Sequence, residues 1–152
     1  MFKKILILLV FSSLSLMALS IKDTIPTHLQ SKLQLQEDKV YVLSFFASWC
    51  KSCKKELPLV SKVYEDKTVE VIGINVDKKK EEGKKFVKEL ELPFPIIYDE
   101  DKALVQAFDP LGFPAIYYVK NNKIIHIIFG AVDNIDDQIR LDVKEINNAK
   151  TN

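Results

Sequence analysis

The chain has 152 residues, 47% of them apolar and 28% charged, and a formal net charge of +1. That supplies enough apolar material for one compact domain whose core does not depend on disulfides. A charge this close to neutral, which stays near neutral if Lys3 and Lys4 leave with a leader, argues against nucleic acid as a partner.

Residues 1–20 read as a signal peptide or an N-terminal anchor. Lys3 and Lys4 form a basic start, and Ile5 to Met17 an apolar stretch interrupted by Ser12, Ser13 and Ser15. Ala18 and Ser20 put small residues just before a cleavage point ahead of Ile21. The stretch is short for a membrane span of about 20 residues, so cleavage is expected, with anchoring as its alternative. Either way, residues 21–152 are expected in the periplasm or another extracytoplasmic space, where disulfides persist.

Ile21 to Asp38 is a polar lead-in with a weak helical pattern at Leu29, Leu33 and Leu35. Lys39 to Ala47 is nearly continuous in apolar and aromatic residues, as expected of a strand buried on both faces. Cys50 to about Asp66 has helical spacing, with Leu57, Val60, Val63 and Tyr64 on one side and Pro58 as an expected kink. Val69 to Val76 is a second buried strand. Lys78 to Leu90 is a charged helix with Phe86, Val87 and Leu90 along its apolar edge, and Lys78 to Glu82 is its solvated start. Pro95 to Tyr98 is a short strand and Asp101 to Phe108 a short helix. Ala115 to Val119 and Lys123 to Phe129 are strands joined by the turn signal Asn121-Asn122. The Tyr117-Tyr118 pair is expected to place one ring in the core and one on the surface. Gly130 ends the last strand, and Asp133 is expected to cap a final helix reaching about Asn148. This order predicts an α/β fold, a central mixed sheet of about five strands with helices on both faces.

Trp49-Cys50-Lys51-Ser52-Cys53 holds the sole tryptophan and both cysteines of the chain. Two thiols three positions apart at the start of a helix can close and reopen a disulfide. Unpaired N–H groups and the positive end of the helix dipole favour a thiolate at Cys50, and Lys51 adds a nearby cation. Cys53, one turn further in, is expected to be more buried and to act as the resolving thiol. So short a loop gains little stability as a purely structural bridge. Zinc would need two more ligands, and His28 and His126 lack ligand spacing. Both histidines read as bland, His126 as a sheet-face residue. No metal or cofactor is expected.

The segment Leu43 to Pro58, with Val71 to Asp77, Phe94 to Asp99 and Gly112 to Ala115 in order after it, resembles the thioredoxin superfamily. The pattern is most similar to the extracytoplasmic TlpA/ResA/CcmG branch over about Lys39 to Asn148. A strand and helix between Phe94 and Phe108 match an insertion typical of that branch. The resemblance implies that Pro114, after Phe113, is a cis-proline facing the cysteines; Trp49 shields one side of the sulfurs and offers a flat surface for a partner, so Trp49, Phe113 and Pro114 are the expected substrate-binding residues. A substrate strand could pair with the backbone there. It also implies that Glu56, three residues after Cys53, tunes the thiols and shuttles a proton.

Ser44 departs from the buried aspartate of cytoplasmic thioredoxins. Phe113 replaces a residue that is commonly small or β-branched. Lys51-Ser52 is neither the glycine-proline of thioredoxin nor the proline-histidine of the oxidant DsbA. The implied activity is disulfide reduction in proteins, with apocytochrome c or the partner that delivers it as a substrate and a membrane electron donor of the DsbD/CcdA type. A monomer is expected. The alternatives are a general disulfide oxidase or isomerase, and a module that binds apocytochrome or haem with little turnover. A peroxidase fits poorly, because a resolving thiol sits beside Cys50.

Overall fold

The computed structural model describes residues 17–149; the proposed leader therefore lies outside the described residues up to position 16. The elements run α1 (Thr27–Leu33), β1 (Val40–Phe46), α2 (Lys51–Glu65), β2 (Glu70–Asn75), α3 (Lys80–Glu89), β3 (Ile96–Tyr98), α4 (Ala103–Phe108), β4 (Ala115–Lys120), β5 (Lys123–Phe129) and α5 (Ile135–Asn148). Among the described residues, the strands form one five-stranded sheet in the order β3-β2-β1-β4-β5. β1, β2 and β3 are parallel, and β4 and β5 run antiparallel to their neighbours.

β1 occupies the centre, and all seven of its residues are buried, as its nearly continuous apolar run predicts. Successive strand residues point to opposite faces. Phe45 meets Phe108 of α4 at 5.2 Å between ring centroids, and Phe46 meets Phe86 of α3 at 6.0 Å. Helices therefore cover both faces. α2 packs against α5, and Arg140 bridges that contact to Asp66 at the end of α2. α2 runs on through Pro58 as one helix, although that residue has no N–H to donate to the preceding turn.

Two sequence expectations need correction. Alternation puts one ring of the tyrosine pair at the surface, but Tyr117 and Tyr118 are both fully buried. Both faces of β4 are covered, so alternation along the strand does not separate core from solvent. The last helix begins at Ile135 with Asn134 at its cap and no side-chain cap bond, so Asp133 does not cap it. The chain needs Asp133 and Asn134 to turn out of the β5–α5 loop before helical bonding can start.

The hairpin follows its signal: Asn121 and Asn122 both adopt left-handed conformations, φ 50° and 58°, as the favoured two-residue turn requires. The lead-in is tied down along the outer edge of β5. Lys22 N–H donates to Ile124 O at 2.8 Å, Ile124 N–H to Asp23 O at 3.0 Å, and Ile25 N–H to Asn122 O at 2.8 Å. Further back, Leu19 N–H donates to Ala107 O at 2.9 Å. Among the described residues, no helix is long and apolar enough to cross a membrane.

α3 lies close against the sheet at Gly83. A Cβ there would lie 2.1 Å from Asn75 Oδ1, and Asn75 is buried and hydrogen-bonded to Asp77. Gly83→Ala is therefore expected to destabilise the fold by about 1–3 kcal/mol. An unconstrained helical glycine would gain stability from the same change. Urea unfolding of the two proteins decides the matter by the sign of the difference.

Candidate active site

β1 ends at Phe46, and four residues carry the chain into α2. Cys50 N–H donates to Ala47 O at 3.1 Å, closing a tight turn. Cys50 is the N-cap of α2, and its Sγ accepts the Cys53 N–H at 3.1 Å. The two cysteines form a disulfide with a Cα–Cα separation of 5.3 Å. Cys53 is fully buried and Cys50 is 7% exposed, so Cys50 is the sulfur a partner can reach. Its position at the free N–H groups of a fifteen-residue helix favours a thiolate when the bridge opens.

Trp49 and Phe113 come together from different loops. Their rings meet edge to face at 5.7 Å, with Trp49 65% exposed. This contact brings the Gly112 to Pro114 loop to the residue preceding Cys50. The Phe113–Pro114 peptide bond is cis. Pro114 O accepts the Gly130 N–H at 2.9 Å, and Gly130 stands at φ 80°, a left-handed conformation natural to glycine. Leu111, just before Gly112 on this second loop, is also a strongly exposed apolar side chain.

Glu56 is buried at 4% exposure, three residues along α2 from Cys53. Its Oε2 accepts the Val132 N–H at 3.0 Å. Burial pushes the carboxyl up to about 7, and the bond from Val132 pulls it partly back. The group lines a cleft of about 200 Å³ with Ser52, Lys55, Leu59, Ala131, Val132 and Asp133. Ser44 is buried in β1 and its Oγ has no hydrogen-bond partner, so it offers no carboxylate in place of the one it replaces. His28 and His126 lie apart from the cysteines in sequence and structure, on α1 and on the exposed side of β5. A groove of about 580 Å³ lies at the starts of β1 and β2, the end of the sheet away from the disulfide, and has no part in this chemistry.

The family model described as AhpC/TSA matches residues 19–128. The chain belongs to the AhpC/TSA family. The thiol-disulfide oxidoreductase ResA of Bacillus thuringiensis subsp. konkukian is 30% identical over 105 residues, covering 65% of this chain and 61% of that protein. ResA of Geobacillus thermodenitrificans is 28% identical over 130 residues, covering 78% of this chain and 75% of that protein. This AhpC/TSA chain thus spans under two thirds of the first relative's length. StoA from Bacillus subtilis superposes with a TM-score of 0.63 at 23% identity, over 70% of this chain and 83% of that one. A thiol:disulfide interchange protein from Bacteroides sp. superposes with a TM-score of 0.64 at 22% identity, over 84% and 93%. These structural likenesses establish the thioredoxin-like fold.

Three contacts at the site have no counterpart in the sequence reading. The Val132 N–H that holds Glu56 is a backbone group in a loop, with no side-chain signal. The Gly130 bond to Pro114 arises from a glycine that reads only as a strand breaker. Asp77, which accepts the Ser48 N–H, is a buried acid after the mostly apolar stretch Val71 to Val76 and could have been singled out by that contrast.

The raised Glu56 carboxyl predicts a pH dependence of stability. Between its ordinary 4.5 and about 7, the folded protein keeps a proton that the unfolded chain has lost. Stability therefore falls as pH rises through that window and levels off above it, by roughly 3 kcal/mol in all. Urea unfolding of the oxidised protein and Glu56→Gln across pH 4 to 8 should show the loss in the first and its absence in the second.

Proposed function

We propose that this chain is an extracytoplasmic protein-disulfide reductase working through the Cys50/Cys53 dithiol. The carrying observation is the reachable Cys50 sulfur at the head of α2 with a fully buried partner thiol behind it in the same bridge. The ResA relatives support the reading, each named a thiol-disulfide oxidoreductase.

In the reduced protein the Cys50 thiolate attacks one sulfur of a substrate disulfide. A mixed disulfide forms, and the first substrate thiolate leaves and takes up a proton. Cys53 then gives up its proton and attacks Cys50 Sγ, which releases the second substrate thiol and leaves the Cys50–Cys53 bridge. Glu56, poised near neutrality, is the group assigned to take the Cys53 proton. Two electrons and two protons from a membrane donor of the DsbD/CcdA type reopen the bridge. Trp49, Phe113 and Pro114 form the surface on which the substrate segment lies. The leader-like residues 1–20 support an extracytoplasmic site of action. In that setting the Cys-x-x-Cys-His segment of apocytochrome c is the substrate that fits a reductant of this type.

Cys53→Ala should hold its substrate as a mixed disulfide at Cys50, released by dithiothreitol, and Cys50→Ala should hold none. Mass spectrometry of the trapped adduct identifies the substrate. The dithiol–disulfide potential should lie near the thioredoxin range, about −270 mV; a value near the DsbA range, about −120 mV, would overturn the reductant role.

A further inference from the structure

The geometry points to Asp77 as a positioning residue. Together with Lys102 it forms a strut that holds the Ser48–Trp49 loop and thereby sets the reactivity of Cys50. This inference rests on the redox role proposed above.

Asp77 follows β2 and is 4% exposed. Its carboxylate gathers donors from the loop two residues ahead of Cys50. Ser48 N–H reaches its two oxygens at 3.2 and 3.0 Å, and Ser48 Oγ donates at 2.8 Å. Asn75 Nδ2 completes the set at 2.7 Å. A carboxylate withdrawn from water needs such donors, and bonds to a charged oxygen hold geometry more firmly than neutral ones. The other end of the strut is Lys102. Its Nζ donates to Val76 O at 3.0 Å and Asp77 O at 2.6 Å, fixing the backbone on which the carboxylate is mounted. Lys102 adopts a left-handed φ of 60° at the start of α4, a conformation unusual for lysine. The β3–α4 insertion is thus fastened to the turn that fastens the cysteine loop.

Ser48 is only half-buried, so water could satisfy its N–H if the fold alone were at stake. What the contact adds is a fixed approach to the helix N-cap. Thiolate stabilisation by the first-turn N–H groups depends on that approach and weakens if the sulfur wanders.

The test uses the Cys53→Ala background, so that Cys50 alone reports, and follows iodoacetamide alkylation against pH. Asp77→Ala should slow alkylation at pH 7 about fivefold and move the profile to higher pH. Asp77→Asn keeps an oxygen for Ser48 once Asn75 turns its amide, and should stay within about twofold of the parent. Lys102→Met should shift the profile in the same direction as Asp77→Ala but less. Faster alkylation in both Asp77 variants would mean that charge, not placement, matters, and would overturn the inference. So would unchanged profiles accompanied by a lower melting temperature. Should Asp77→Ala fail to fold, an unchanged profile in Lys102→Met overturns the inference by itself. A wild-type protein that cannot reduce insulin would sink the redox reading while leaving these comparisons intact.

Discussion

The Sγ of Cys50 accepts the Cys53 N–H at the first turn of α2, so the side chain that caps the helix is also half of the disulfide. Most caps are oxygens, which end their part once the helix is formed. Here the capping atom is one sulfur of the bridge, and its placement depends on everything that fixes the end of β1. The buried central strand supplies the rigid approach, the Ala47–Cys50 turn bends the chain, and α2 supplies the unpaired N–H groups. The register of β1 between β2 and β4 thus sets where a sulfur meets solvent.

Glu56 shows a second tension at the same helix. Its carboxyl is costly to ionise because it is buried, yet Val132 N–H favours the ionised form. Burial is the larger effect and raises the carboxyl to about 7. A surface glutamate at the same helical position would be ionised throughout the working range. The difference comes from the β5–α5 loop lying over α2, a tertiary feature with no local cause in the Glu56 segment.

The nearly continuous apolar run of β1, the paired asparagines of the hairpin and the cysteine spacing are all legible in the sequence, because each depends on neighbours along the chain. Tyr118 escapes such reasoning since periodicity assumes one wet face, and β4 has none. Asp133 looks like a cap by residue type, but the loop geometry hands that position to Asn134. Helical spacing places Glu56 near the cysteines, while its burial has no local signature. The bonds from Val132, Gly130 and Lys102 link residues 76, 16 and 26 positions from their partners, beyond any local pattern.

The residues laid along β5 have a consequence for the sheet as a whole. An open sheet must do something with its two unpaired margins, which invite other strands to add on. Here one margin is β3, three residues long, and the other is partly occupied by the chain's own Lys22 to Ile25. The start of β5 is thereby closed to a stray strand. This matters for the proposed reductase role, in which cysteine-bearing segments lie against the protein surface. Such segments can be engaged at the sulfur and released, rather than stitched into the edge of the sheet.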